Sequence, residues 1–186
     1  MKKLVLLGDS IRLIGYGQQV AERLSDEFEV WQPTDNCRFA AYTLRMCFEE
    51  EEKFKNADVI HFNCGLWDTC DLFGDGVFTS LDNYIATMVR LVKVFRSLSP
   101  QATLIFATTT PTMPQFPRQD VERIKAYNKA VVEALTPMGV LIDDLFPTVY
   151  ADMDAMICGD LVHLSEYGKD VLSKQVADFI RASQKA

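Results

Sequence analysis

Residues 3–10 read Lys3-Leu4-Val5-Leu6-Leu7-Gly8-Asp9-Ser10, a near-continuous apolar run that stops on a Gly-Asp-Ser turn. A strand that is apolar at successive positions is buried on both faces, the condition of a parallel sheet covered by helices on each side. Four further runs of this kind follow, Glu27 to Trp31, Asp58 to Phe62, Thr103 to Ala107 and Val140 to Ile142. Between them apolar residues recur at helical spacing. Val20, Leu24 and Phe28 mark one helix, and Leu81, Tyr84, Ile85, Met88, Leu91, Val92 and Phe95 a longer one. Ile124, Tyr127, Val131 and Leu135 mark the next, and Leu172, Val176, Phe179 and Ile180 the last. This alternation predicts an α/β fold, a three-layer α/β/α sandwich around a five-stranded parallel sheet. Gly74-Asp75-Gly76, Thr109 to Pro117 and Phe146 to Gly159 read as loops, and the acidic run Glu49 to Glu52 as the solvated end of a helix.

The 186 residues suffice for one well-buried domain, so residues 1–186 are expected to form a single unit. Hydrophobic residues at 48% and charged residues at 24% fit a globular chain with its own core. A net charge of −7 works against phosphate backbones and anionic lipid, which excludes nucleic acid and membrane surfaces as expected partners and argues against a strongly anionic substrate. The apolar run Leu4 to Leu7 is too short for an export signal or a membrane span, so the chain is expected to start at Met1 and stay in the cytoplasm. Cys37, Cys47, Cys64, Cys70 and Cys158 are odd in number and contain no C-x-x-C pair, which predicts reduced, packed thiols and no zinc site.

In an open parallel sheet ligands bind at the carboxyl ends of strands, which directs attention to the loops that follow them. Ser10 reads either as a helix cap or as a nucleophile. Gly15-Tyr16-Gly17 is no dinucleotide fingerprint, because Val20 stands where the third glycine belongs. Asp160-Leu161-Val162-His163 puts a carboxylate and an imidazole three residues apart, close enough to touch across one turn. A hydroxyl needs a base, and the base needs a group that fixes its tautomer. Ser10, His163 and Asp160 fill those roles if the last loop folds over the first strand. His61, the other histidine, lies in an apolar run and reads as a hydrogen-bonded core residue.

Gly8-Asp9-Ser10, Asn63-Cys64-Gly65-Leu66-Trp67-Asp68 and Asp160-x-x-His163, in that order, resemble the SGNH/GDSL hydrolases. Tyr127-Asn128 and Leu141-Ile142-Asp143 look like the same family, and the likeness spans almost the whole chain. The resemblance implies a flavodoxin-like sheet of strand order 2-1-3-4-5 and a serine esterase with no cofactor or metal. It implies a small-molecule ester as substrate, often an acetylated sugar, a lipid or a thioester. Carried over, it makes Ser10 the nucleophile, His163 the base and Asp160 its orienting partner. Family members stabilise the oxyanion with the serine N–H, a glycine N–H and an asparagine amide. Here the second block, Arg38 to Thr43, has Ala41 at the glycine position, and Trp67 stands at the asparagine position of the third. A backbone N–H survives the first change. For the second, the indole of Trp67 and the amide of Asn63 are both candidates, and Asn63 is the expected donor. Asn36 reads as a turn residue and Arg12 as the partner of a surface acid, with a substrate carboxylate as its alternative.

The reading is an SGNH-type esterase, leaning to carbohydrate O-acetyl esters. A thioesterase or lysophospholipase of the same family and a non-catalytic binding module on the same fold are the alternatives. The alternation of strands and helices also fits a flavodoxin-like nucleotide or flavin protein.

Overall fold

Each apolar run becomes a strand in the computed structural model, which describes residues 1–185. β1 (Lys2–Leu7), β2 (Phe28–Trp31), β3 (Val59–Phe62), β4 (Thr103–Ala107) and β5 (Leu141–Asp143) form one parallel sheet in the order β2-β1-β3-β4-β5. Successive side chains point to opposite faces, so every strand feeds two cores. Val5, Leu7, Ile60, Phe62, Leu104 and Phe106 pack beneath α2 (Ala40–Glu49), α3 (Glu51–Phe54), α4 (Leu81–Leu98) and α5 (Val121–Leu135). Leu4, Leu6, Val59, Ile105 and Ala107 pack against α1 (Gly17–Leu24), α6 (Leu145–Tyr150), α7 (Met153–Met156) and α8 (Glu166–Ser183). The three-layer α/β/α sandwich and the strand order are those expected.

Two details differ from expectation. Phe28 opens β2 instead of closing the helix of Val20 and Leu24, which ends at Leu24. The stretch Phe146 to Gly159 contains most of α6 and all of α7, helices of 6 and 4 residues that are too short to display a period. Buried Leu145, Val149 and Met156 hold them to the core, and the Asp152 carboxylate caps the Ala155 N–H. The acidic run is exposed, as expected, with α2 ending at Glu49 and α3 starting at Glu51. No helix among the described residues is long and apolar enough to cross a membrane.

Two contacts pin the elements that carry the loops above the sheet. Gly168 lies in the first turn of α8, where its N–H donates to Ser165 Oγ at 3.0 Å, and a Cβ there would sit 2.3 Å from the Met156 carbonyl oxygen of α7. Alanine in a helix ordinarily gains about 1 kcal/mol over glycine. Backbone crowding outweighs that gain here, so Gly168→Ala is expected to lower the urea midpoint by the equivalent of about 1 to 3 kcal/mol. A raised midpoint would mean that α7 yields.

Asp68, fully buried after β3, accepts from the Ala40 N–H at 3.1 Å and so ties the start of α2 to that loop. Burial pushes its carboxyl up to about 6, against the opposing hydrogen bonds from Thr79 and Ala40. A pKa raised on folding means that the native state holds the proton more tightly, so this group's contribution to stability falls as pH rises from about 4 to about 6. Asp68→Asn keeps an oxygen for Ala40 and cannot ionise. The Tm of the variant minus that of the wild type is expected to grow between about pH 4 and pH 7. A difference that does not change with pH would show that Asp68 ionises normally.

Candidate active site

The chain leaves β1 towards β2 on one side, while β3 flanks β1 on the other, and the diverging loops open a crevice at the carboxyl ends of β1 and β3. Ser10 rises from the first loop and Leu66 and Trp67 from the second, and all three line one cleft of 310 Å³. Val162 and His163 close it from the loop before α8, and Leu72 and Phe116 extend its apolar wall. A wider hollow of 550 Å³, lined by Met1, Lys2 and Arg181 among others, lies at the amino ends of the strands, away from these groups.

Ser10 precedes a wide helical segment, Ile11–Tyr16, but its side chain makes no capping bond. Its Oγ lies 2.9 Å from His163 Nε2 instead, across 153 positions of chain. The loop that brings His163 there is fixed by its backbone. Ile157 and Leu164 form an antiparallel bridge, and the Cys158 N–H donates to the His163 carbonyl at 2.7 Å. Asp160 turns that loop: its Oδ1 accepts from the N–H groups of Val162 at 2.9 Å and His163 at 2.8 Å, and Leu161 takes a left-handed φ of 73°. Its Oδ2 accepts from His163 Nδ1 at 2.6 Å. With the proton on Nδ1, Nε2 is an acceptor facing the serine hydroxyl. Burial acts to raise the Asp160 carboxyl, but the His163 N–H and imidazole, the Val162 N–H and the Cys158 thiol outweigh it and hold the group well below the usual carboxylate range.

The remaining candidates are placed less as expected. Asn63 is buried against Gly8 and does not line the cleft. Its Oδ1 accepts from the Tyr16 hydroxyl at 3.0 Å, and its amide helps to hold the buried Asp9 carboxyl down. Burial raises the Asp9 carboxyl, opposed by Asn63, the Ile11 N–H, Arg12 and His163. Trp67 lines the cleft with Ser10, and its indole N–H has no acceptor among the described residues. Ala41 lies in the first turn of α2, exposed and outside the cleft lining, with no acceptor for its N–H among the described residues.

Arg12 departs from both of its readings. It is buried and donates to the carbonyls of Gly8, Pro33 and Asp35, stapling the loop after β2 to the end of β1. No sequence pattern separates such a residue from a surface arginine. Asn36 turns the same loop by accepting from the Arg38 N–H at 2.7 Å. His61 is fully buried, its Nε2 3.4 Å from Asp143 Oδ2, and Gln175 holds the other Asp143 oxygen at 2.8 Å. Asn128 clasps Thr109 by both its N–H and its carbonyl, which fixes the loop after β4. Sequence reading missed Leu72, Phe116 and Arg118 as cleft residues, because their stretches carry no motif, and passed over Leu66 inside the third block. All five cysteines are free, with Cys158 the least buried. No cluster of three or more His, Cys, Asp or Glu side chains suited to a metal occurs among the described residues.

No protein-family model matches the chain, and no curated protein matches it. Solved structures do. The acetyl xylan esterase AlAXEase superposes with a TM-score of 0.80 at 16% identity, covering 96% of this chain and 99% of the other. The lipase/acylhydrolase from Enterococcus faecalis gives 0.75 at 22% identity, covering 98% and 96%. A catalytic mutant of Axe2, an acetylxylan esterase from Geobacillus stearothermophilus, gives 0.77 at 20% identity, covering 98% and 94%. At such identities the likeness speaks for architecture alone: the chain shares the fold of these structures, a three-layer α/β/α sandwich with strand order β2-β1-β3-β4-β5.

Proposed function

We propose that the protein is a serine esterase that passes the acyl group of a small carboxylic ester to Ser10 and then to water. The observation that carries this reading is the unbroken line from Asp160 Oδ2 to His163 Nδ1, 2.6 Å, and from His163 Nε2 to Ser10 Oγ, 2.9 Å. Ser10 Oγ attacks the carbonyl carbon while Nε2 takes its proton, and Asp160 stabilises the imidazolium. The alkoxide leaves with that proton, and water, deprotonated by His163, releases the acid and restores Ser10. The oxyanion is held by the Ser10 N–H, which has no acceptor among the described residues, and by the Trp67 indole; Ala41, outside the cleft lining, is left out. Asn63 is left out of this set because it does not line the cleft and its oxygen is taken by the Tyr16 hydroxyl.

Acetyl esters of carbohydrates are the favoured substrates, and the acetyl xylan esterases of like fold support that choice. The apolar walls from Leu66, Leu72, Phe116 and Val162 favour a second reading, a longer acyl chain as in a thioesterase or lysophospholipase. Turnover of nitrophenyl esters of increasing chain length separates the two. A non-catalytic module gives no reason for an aligned serine, imidazole and carboxylate.

A fluorophosphonate is expected to label Ser10, and His163→Ala to abolish the labelling. An adduct on another residue, or equal labelling without His163, would overturn the assignment. For the oxyanion, Trp67→Phe is expected to lower kcat on nitrophenyl acetate by about 10²-fold with a smaller change in KM, since the lost bond is strongest in the transition state. Asn63→Ala instead removes partners of buried Tyr16 and Asp9, and is expected to cost about 1 to 3 kcal/mol of stability. Its kcat per folded enzyme is expected to fall less than that of Trp67→Phe. The reverse order returns the oxyanion role to Asn63.

A further inference from the structure

Six of the nine arginines have an acceptor for the guanidinium: Arg12, Arg23, Arg38, Arg45, Arg96 and Arg181. Arg90, Arg118 and Arg123 have none among the described residues, and of these three Arg118 lines the cleft. Arg118 lines the cleft with an exposed side chain, while its own carbonyl accepts from the Asp71 N–H at 2.9 Å. The loops after β3 and β4 are thereby joined at its root, and only the guanidinium is free. Arg123 stands one turn into α5, its Nε shut off from solvent without an acceptor. Arg118 and Cys70 line the same wall; burial and the Asp71 carboxylate push the Cys70 thiol up, and the charges of Arg118 and Arg123 oppose them. The acid in the cleft lining, Asp160, is spent on His163. A buried donor without a partner is costly, and an arginine fork suits carboxylate and phosphate oxygens alike.

We propose that the Cys70 end of the cleft is a subsite for an anionic group, carboxylate or phosphate, on the larger, alcohol arm of the ester, held by Arg118 with Arg123 behind it. This rests on the esterase reading and narrows it. It also revises the inference from net charge: the chain is acidic overall, but recognition depends on the groups at the cleft, where Arg118 offers a guanidinium without an acceptor among the described residues and the Asp71 carboxylate accepts from the Gly74 and Gly76 N–H groups. The apolar wall carries the body of the alcohol arm, and the two guanidinium groups select its charged end.

The test uses the acetate esters of 4-hydroxybenzoate, 4-hydroxyphenyl phosphate and, as the neutral shape-matched control, 4-hydroxybenzamide. Binding is measured by titration calorimetry on Ser10→Ala, so that no turnover is needed. At least one anionic ester is expected to bind about tenfold tighter than the amide, with the advantage shrinking as salt is raised. The preferred anion tells carboxylate from phosphate. Adding Arg118→Gln to Ser10→Ala is expected to remove the preference, and in the otherwise native enzyme to lower the ratio of anionic to neutral kcat/KM by the same factor. Equal binding of all three esters, or a preference that survives Arg118→Gln, overturns the subsite. Failure of the native enzyme to hydrolyse any of the esters counts instead against the esterase reading, because the binding comparison stands without it.

Discussion

A sheet buried on both faces leaves polar side chains little place except at strand ends, His61 inside β3 apart, and this constraint organises everything above the carboxyl edge of this one. Asp9 and Asn63 follow β1 and β3, Asp68 lies in the loop beyond β3, and Asp143 closes β5; each is at most 4% exposed. A buried polar group without a partner costs about 1 to 3 kcal/mol, so such a layer persists only if its members satisfy one another. They do: Tyr16 and Asp9 take the two ends of Asn63, Ala40 donates to Asp68, and Gln175 donates to Asp143. Arg12 completes the layer by filling three carbonyls of neighbouring loops. The cleft containing Ser10 opens above this polar floor.

The strands were legible because burial on two faces demands unbroken apolar runs, a signal independent of what packs against them. The long helices were legible for the same reason at another period. The pairing of Asp160 with His163 followed from their spacing alone, though the device that joins them did not: Asp160 shapes the loop with one oxygen and holds the ring with the other. Arg12 was misread because its partners lie in the loop after β2, and the contact of Asn63 with Tyr16 was hidden because the two lie far apart in sequence. A polar residue at a strand end looks the same whether it faces the cleft or the floor. The short helices α6 and α7 owe their existence to buried Leu145, Val149 and Met156, and not to any period of their own.

The most distant part of the site is also the most locally determined. His163 reaches Ser10 from 153 residues away, yet its position is set within the segment from Met156 to Gly168. The Met156 carbonyl accepts from the Ser165 N–H at 2.9 Å, and the missing side chain of Gly168 lets α8 start directly against that carbonyl. Packing of α8 on α1 then carries the preformed loop to the end of β1. The entropy of aligning an imidazole with a hydroxyl is thus met by a rigid hairpin docked as a unit, which is how a loop can hold a side chain to hydrogen-bonding distance.

The same closeness explains how the donors can differ from those of the family this sequence resembles. At Gly8 an added Cβ would lie 1.9 Å from Asn63 Oδ1, so the backbone of β1 rests directly on the Asn63 side chain. The Asn63 oxygen that fills this space also accepts from the Tyr16 hydroxyl, which fixes the amide in the floor beneath the cleft. Gly65, at φ 138° and with a Cβ position 2.2 Å from Thr109 Oγ1, holds the next loop just as tightly. The first residue beyond these two tight points that is at once partly exposed and in the cleft is Trp67. An indole there adds a donor without disturbing the floor, and on the proposed mechanism the backbone N–H of Ser10, at the start of a helical run, supplies the rest of the field that a developing oxyanion requires.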